Sequence, residues 1–84
     1  MDIQRHPSSV LKLSHEMKKV IDAYWSRDIT EEEMREYIIY FANYEKEKLF
    51  HGPEYSPTIK QRLGKRRIAL IDKILQGFQT KLHI

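Results

Sequence analysis

The stretch from Ser56 to Phe78 constrains the fold more than any other part of the chain. It begins with a helix start signal, because Ser56 or Thr58 can cap a helix whose first turn accommodates Pro57. At about 100° per residue, the apolar side chains that follow form one face, wide enough to contact two other helices. These side chains are Ile59, Leu63, Ile68, Leu70, Ile71, Ile74, Leu75, Phe78 and Leu82. The pattern predicts a helix over residues 57–79 that forms one wall of a core.

Three residues of this helix need a separate explanation. Gly64 lies on the apolar face, and since glycine costs about 1 kcal/mol inside a helix, we expect it to allow the close approach of a neighbouring helix. Near Gly77 the helix is expected to fray or bend, leaving residues 80–84 as a loosely packed tail. Arg67 projects on the apolar side, where an unpaired charge is costly. We therefore predict that it pairs with a carboxylate of the second helix, or that its stem crosses the core and its charge reaches the surface.

The first helix is predicted over residues 8–27, capped by Ser8 or Ser9. Residues 1–7 are predicted to be an extended or frayed lead that ends at Pro7. The stripe expected to face the core contains Val10, Leu13, Met17, Val20, Ile21, Tyr24 and Trp25. The side chains expected in water are Lys12, Glu16, Lys18, Lys19 and Asp22.

A capping box, Thr30 with Glu33, opens a second helix predicted over residues 30–49. Its three consecutive glutamates invite a metal or acid–base interpretation, but neighbouring residues point in different directions on a helix, so capping is favoured. The inner face contains Met34, Tyr37, Ile38, Phe41, Tyr44 and Leu49. Ile39 and Tyr40 fall outside it. Two explanations stay open: the helix is the middle one of a bundle, or Ile39 and Tyr40 contact a second chain.

A Gly-Pro dipeptide at residues 52–53 breaks the chain before the last helix. Phe50 and Tyr55 flank this break, and we expect them to anchor the loop on the bundle. The loop also contains His51 and Glu54, which could serve general acid–base chemistry. No third group accompanies this pair, so an ordinary surface loop is the favoured interpretation.

Together the three segments predict an all-α fold, a compact three-helix bundle formed by one domain over residues 1–84. The chain has no cysteine, which excludes disulfides, thiol nucleophiles and zinc–thiolate sites. The longest apolar run, residues 37–42, is far too short to cross a bilayer, and no signal-peptide pattern precedes it, so a cytoplasmic protein is expected. Glycine-rich phosphate loops and nucleophile motifs are absent. We therefore expect no catalytic, cofactor-binding or metal-binding residue and no enzymatic activity.

The formal net charge is +3, but it is unevenly distributed. Residues 58–84 carry seven basic side chains and one carboxylate, whereas residues 28–48 carry seven carboxylates and three basic side chains. These elements should attract each other, so much of the basic charge can be matched internally. The basic residues that point away from the apolar face of the third helix are Arg62, Lys65, Arg66 and Lys73.

Such a basic stripe can neutralise nucleic-acid phosphates. However, helix-turn-helix proteins join their helices by a turn of about three or four residues, and the predicted loop here is longer. No aromatic stacking platform is predicted beside the arginines either. A solvated basic face is therefore the simpler interpretation, and nucleic-acid binding is the alternative.

Two segments, Ser56–Arg67 and Asp22–Trp25, resemble a family of short uncharacterised proteins from Gram-positive bacteria and their mobile elements. The resemblance covers most of the chain, from about Val10 to Phe78. It implies a bacterial cytoplasmic protein. The family carries no assigned activity, so the resemblance transfers no catalytic or binding residue.

The sequence thus favours a small non-enzymatic helical protein that binds or regulates through protein contacts, with a homodimer as one form. Ile39 and Tyr40 are the candidate interface residues. No membrane partner is expected, because the third helix needs its apolar face for the core. No small-molecule substrate is expected either.

Overall fold

The computed structural model describes the backbone of residues 2–82 and the side chains of residues 2–77. Its elements are α1 (Val10–Trp25), α2 (Glu31–Tyr44), α3 (Lys46–Leu49), β1 (Phe50–His51), β2 (Glu54–Tyr55) and α4 (Pro57–Leu82). The predicted all-α fold class is confirmed, and a one-turn helix and a two-stranded hairpin are added to the three long helices. Phe78 and Leu82, expected on the inner face of the last helix, have side chains outside the described range. Over residues 2–82, no helix has the length and apolarity to cross a bilayer.

The core lies where α1, α2 and α4 meet, and α1 packs most extensively against α4. Each of these helices contributes apolar side chains that are almost completely buried. They are Leu13, Met17, Val20 and Ile21 of α1, Met34, Ile38 and Phe41 of α2, and Ile59, Leu63, Ile71, Ile74 and Leu75 of α4. Burying a side chain of this size contributes about 1.5–3 kcal/mol, so the spacing of these residues dictates how the helices pair.

Both ends of α1 are defined by specific hydrogen bonds. Ser9 caps the first turn through its hydroxyl, as one of the two predicted options. At the other end, the N–H groups of Arg27 and Asp28 donate to carbonyls of the preceding turn, at 3.0 and 2.8 Å. This pair of bonds is a Schellman motif, with Arg27 in the left-handed region at φ 66°. Trp25 is therefore the last residue of the helix.

The second helix is shorter than the predicted range of 30–49. The capping box of Thr30 and Glu33 is present in full. However, α2 ends at Tyr44, and Glu45 leaves the helical conformation before α3 begins. Tyr44 was expected on the inner face, but its side chain is 67% exposed, so this prediction is wrong. Glu45 is buried, and its carboxylate accepts a hydrogen bond from Lys48 Nζ at 3.1 Å.

The loop after α3 forms a β-hairpin in which Phe50 faces Tyr55 and His51 faces Glu54. The rings of Phe50 and Tyr55 stack at 5.4 Å between centroids and pack against the core. Both residues are thus the anchors predicted from the sequence. Strands of two residues are too short to produce the alternation by which a strand is recognised, so the hairpin itself was not predicted.

Helix α4 is interrupted at Gly64, whose φ of 80° and ψ of 170° are not helical. Only glycine adopts this conformation readily. Nothing lies within 4 Å of the position that a Cβ would take, so the predicted close approach of a neighbouring helix is wrong. The bend expected near Gly77 lies at Gly64 instead, and the helix continues past Gly77.

The first residues are not a frayed lead, because residues 2–7 pack against α1 and α2. We call them the N-terminal strap. Pro7 is buried, and the N–H of Gln4 donates to Glu16 Oε1 at 2.8 Å. Glu16 was expected in water, but it is buried beneath the strap.

The two glycines of α4 should respond oppositely to alanine. We expect Gly64→Ala to lower the free energy of unfolding by about 1–3 kcal/mol, because alanine is strained at a φ of 80°. Gly77→Ala, the matched control, should raise it by up to about 1 kcal/mol, since residue 77 is helical. Urea unfolding followed by circular dichroism measures both. Equal effects of the two substitutions would contradict the assignment of the kink to Gly64.

Candidate binding surface

Trp25 is 42% exposed, although its spacing predicted a core position. The prediction is wrong because α1 ends at this residue, and the ring extends past the core to lie beside α4. The Cζ atoms of Arg66 and Arg67 lie 5.3 and 5.4 Å from the ring centroid. Contacts of this kind contribute about 0.5–1 kcal/mol at exposed sites. An aromatic ring therefore does lie beside the arginines, contrary to the sequence-based expectation.

Arg67 connects α4 to α1. Its Nε and Nη2 donate to Asp22 Oδ1 at 3.0 and 2.8 Å, and its Nη1 donates to the Leu63 carbonyl at 3.1 Å. The sequence predicted a carboxylate partner but placed it on the second helix. The partner belongs to the first helix because α4 packs most extensively against α1.

An open groove of about 530 Å³ begins at Trp25 and follows α4. We call it the Trp25 groove, and its other lining residues are Ala69, Leu70, Asp72, Lys73 and Gln76. A second cavity of about 260 Å³, lined also by Met34 and Arg35, shares Leu70 and Lys73 with it. The two cavities together form a surface lined by both apolar and charged side chains.

Asp72, at the edge of the Trp25 groove, is bonded to the hairpin. The Tyr55 hydroxyl donates to Asp72 Oδ1 at 2.5 Å. Burial of the Tyr55 hydroxyl, together with this hydrogen bond and the negative charge of Asp72, raises the pKa of Tyr55 well above its usual range. The bond therefore links the hairpin to α4 at any pH where Tyr55 is protonated.

The raised pKa of Tyr55 predicts a loss of stability in alkali. An unfolded tyrosine ionises from about pH 10, whereas Tyr55 in the folded chain keeps its proton, so the unfolded state binds fewer protons above that pH. The contribution of Tyr55 is present in full below pH 10 and should fall as the pH rises above it. Denaturant unfolding of the parent and of Tyr55→Phe, repeated at several pH values between 8 and 11.5, measures this loss of stability. The stability gap between them should narrow in alkali, and a gap that stays constant up to pH 11.5 would contradict the raised pKa of Tyr55.

Four basic residues of α4 were predicted to point into solvent, and all four are exposed: Arg62, Lys65, Arg66 and Lys73. Among residues 2–77, no carboxylate oxygen lies within 4.0 Å of their charged nitrogens. By contrast, Lys60 pairs with Glu54 at 3.6 Å and Arg67 with Asp22. Internal pairing therefore matches only part of the basic charge of α4.

The Gly64 kink separates these four residues into two groups. Arg62 precedes the kink and lines a cavity of about 150 Å³ with Lys18 of α1. Arg66 lies against Trp25, and Lys73 lines the Trp25 groove. They do not form one continuous stripe along a straight helix, as the sequence had suggested.

Ile39 and Tyr40, the candidate interface residues, are only half exposed. Both pack against the core from the outside. The Tyr40 hydroxyl and His6 Nε2 are hydrogen-bonded at 2.9 Å, and the Arg5 guanidinium lies 5.1 Å from the Tyr40 ring centroid. The N-terminal strap therefore covers part of this surface, and the contact with a second chain stays a prediction.

The other polar residues considered from the sequence lie apart from the Trp25 groove. His51 and Glu54 are exposed neighbours in the hairpin, and Glu54 pairs with Lys60. Glu33 completes the capping box. Within the part of the chain that the structure describes, no three His, Asp or Glu side chains are placed to hold a metal ion.

Sequence reasoning did not find the two exposed apolar residues of α1, which are Leu11, 50% exposed, and Trp25. A signal for them exists. Leu11, Lys18 and Trp25 follow one another at intervals of seven residues, which places them on one helical face. That face is adjacent to the core stripe but does not coincide with it.

Comparison with known proteins identifies a family but not an activity. The family model CLB_0814_fam, described as a conserved hypothetical protein, matches residues 4–76. No curated protein and no solved structure matches the chain. The Gram-positive origin expected from the resemblance stays a prediction.

Proposed function

The chain belongs to this family of conserved hypothetical proteins, and from its surface we propose that it is a small non-enzymatic binding protein of the cytoplasm that acts through protein–protein contacts. The observation that carries the proposal is Trp25, exposed at one end of an open groove with two guanidinium groups over its ring. Tryptophan and arginine are the residues most enriched among those that dominate binding energy at protein interfaces.

The shape and composition of the Trp25 groove support contact with a protein. Trp25, Ala69 and Leu70 give it apolar lining, and Asp72 and Lys73 add charged groups. Interfaces of this type have an apolar centre and a polar rim. A partner side chain placed between Trp25 and Leu70 would remove both from water without breaking a contact inside the chain.

Binding is favoured over catalysis by the chemistry available in the groove. A reaction site needs a nucleophile or base, together with an orienting group, in a place from which water is excluded. Asp72 already accepts the Tyr55 hydroxyl, and the groove is open to solvent. The His51–Glu54 pair is exposed on the hairpin and does not line it.

Self-association is one form that the proposal includes, with a second copy of the chain as the partner. The Trp25 groove is the interface we favour for it. The Ile39–Tyr40 surface is the second candidate, and its use would require the N-terminal strap to move away from Tyr40. Size-exclusion chromatography with light scattering on the parent and the variants below separates the two interfaces.

Removing the Trp25 ring should strongly weaken partner binding. We expect Trp25→Ala to weaken the complex captured from the native host by about 30-fold, because loss of a central tryptophan at an interface costs about 2 kcal/mol or more. Affinity capture, identification by mass spectrometry and titration of the purified partner measure the effect. Thermal unfolding checks that the variant remains folded.

Tyr44→Ala is the matched control for this experiment, because Tyr44 is an exposed aromatic residue on α2, away from the groove. It should leave the affinity within about twofold, as exposed contacts outside the centre of an interface contribute little. If Trp25→Ala retains the partner while Tyr44→Ala or Tyr40→Ala loses it, the interface lies on α2 and our assignment is wrong.

Nucleic-acid binding is the second candidate, and two observations support it. Arg62, Lys65, Arg66 and Lys73 have no carboxylate within 4.0 Å among residues 2–77. Trp25 also provides a ring beside Arg66, and aromatic rings next to basic residues bind unstacked bases.

Fluorescence polarisation with duplex and single-stranded probes at low salt tests this candidate. Binding through these cations should weaken with salt, and each lost phosphate contact should reduce the slope by about 0.7–0.9 on logarithmic axes. Replacing all four residues by alanine should remove the salt dependence. Absence of binding to either probe at about 50 mM salt would exclude this function, since non-specific binding is strongest there.

A further inference from the structure

One face of α1 forms a continuous surface with α4, which we call the α1–α4 seam. Its α1 residues recur at alternating intervals of four and three and therefore lie on one side of the helix. They are Leu11, His15, Lys18, Asp22 and Trp25, and all but the half-buried Asp22 are exposed. From Leu11 to Trp25 the seam is about 21 Å long, at 1.5 Å per residue.

The basic residues of α4 border the seam along its length. Arg62 lines a cavity with Leu11, His15 and Lys18. Arg67 reaches Asp22, and Arg66 lies over Trp25. Residues on both sides of the Gly64 kink therefore lie next to α1.

The seam is positively charged once its internal pairs are counted. Asp22, its one carboxylate, is already bonded to Arg67. Within residues 2–77, Lys18, Arg62 and Arg66 have no acidic partner at ion-pair distance. A partner with negative charge would complement this middle part.

The ends of the seam determine which anionic partner fits best. Leu11 is 50% exposed at one end and Trp25 is 42% exposed at the other. A nucleic acid could stack a base on Trp25, but its phosphates would leave Leu11 in a polar environment. A protein helix can offer apolar residues at both ends and carboxylates between them, because side chains that are three and four residues apart share a face.

From this arrangement we propose that the α1–α4 seam binds an acidic amphipathic helix of a partner protein. Apolar residues of that helix contact Leu11 and Trp25, and its carboxylates pair with Lys18, Arg62 and Arg66. The inference rests on the proposed function, since it assumes a protein partner at Trp25. It adds the chemical class of that partner and extends the contact along α1.

The test uses three probes of defined composition: an 18-residue amphipathic Leu/Glu peptide, the same peptide with lysine for glutamate, and an 18-residue oligothymidylate. Trp25 is the one tryptophan of the chain, so its emission reports directly on the seam. The Leu/Glu peptide should bind saturably and shift the emission to shorter wavelength, and the Leu/Lys peptide should not. Binding of oligothymidylate without the Leu/Glu peptide would overturn the proposal in favour of a nucleic acid.

A pair of double variants tests the position of the contact. Lys18→Glu/Arg62→Glu should weaken Leu/Glu peptide binding about tenfold or more, because two attractive contacts become repulsive. Lys12→Glu/Lys46→Glu changes the net charge equally at exposed sites outside the seam and should leave the affinity within about twofold. Equal weakening by both doubles would overturn the proposal, because attraction would then depend on overall charge alone.

Leu11→Ala distinguishes this inference from the proposed function. It should weaken the Leu/Glu peptide several-fold without changing the affinity for oligothymidylate. If the partner captured from the native host is lost with Trp25→Ala but unaffected by Leu11→Ala and by Lys18→Glu/Arg62→Glu, the proposed function stands and the acidic-helix inference fails. If Trp25→Ala also leaves that partner bound, the proposed function itself fails.

Discussion

The guanidinium of Arg67 links helix α1, the Gly64 kink of α4 and the exposed ring of Trp25. It donates to Asp22 of α1 and to the carbonyl of Leu63, which directly precedes the Gly64 kink. Carbonyls at helix ends have fewer partners within the helix, and Arg67 supplies a side-chain donor to the one beside this interruption. The same group lies over the ring of Trp25. A lysine has the same charge but lacks the planar array of donors. It could not bond both Asp22 Oδ1 and the Leu63 carbonyl while lying over the ring of Trp25.

Local sequence signals predicted the elements and most of the core. The hydroxyl of Ser9 and the capping box at Thr30 mark helix starts because capping depends only on residues within one turn. The apolar face of α1 predicted Leu13 and Met17 correctly, since their burial follows from helical period alone. The four solvent-facing basic residues of α4 were assigned by the same reasoning.

Features that depend on contact with a neighbouring element could not be predicted from local sequence signals. Glu16 has a solvent-facing position in the helical period, but the strap buries it. Trp25 has an inward position in the helical period, yet it is the last residue of α1 and its ring extends past the core. A glycine within an apolar helix is compatible with either close packing or a backbone kink, and only the three-dimensional structure separates these at Gly64. The candidate site depends on the last two of these effects, at Trp25 and Gly64, which is why it was largely missed.

The N-terminal strap has a consequence for the surface of α2 that it covers. His6 touches Tyr40, 34 positions away along the chain, so the strap can dock only after α1 and α2 have come together. Few hydrogen bonds hold it, and we expect it to detach in local fluctuations while the helices persist. Detachment would expose to solvent the ring faces of Tyr37 and Tyr40 that Arg5 now covers. The Gln4 amide, which donates to Glu16, would lose that bond in the same event. Its rate of hydrogen exchange would then report how often the rings of Tyr37 and Tyr40 become exposed to solvent.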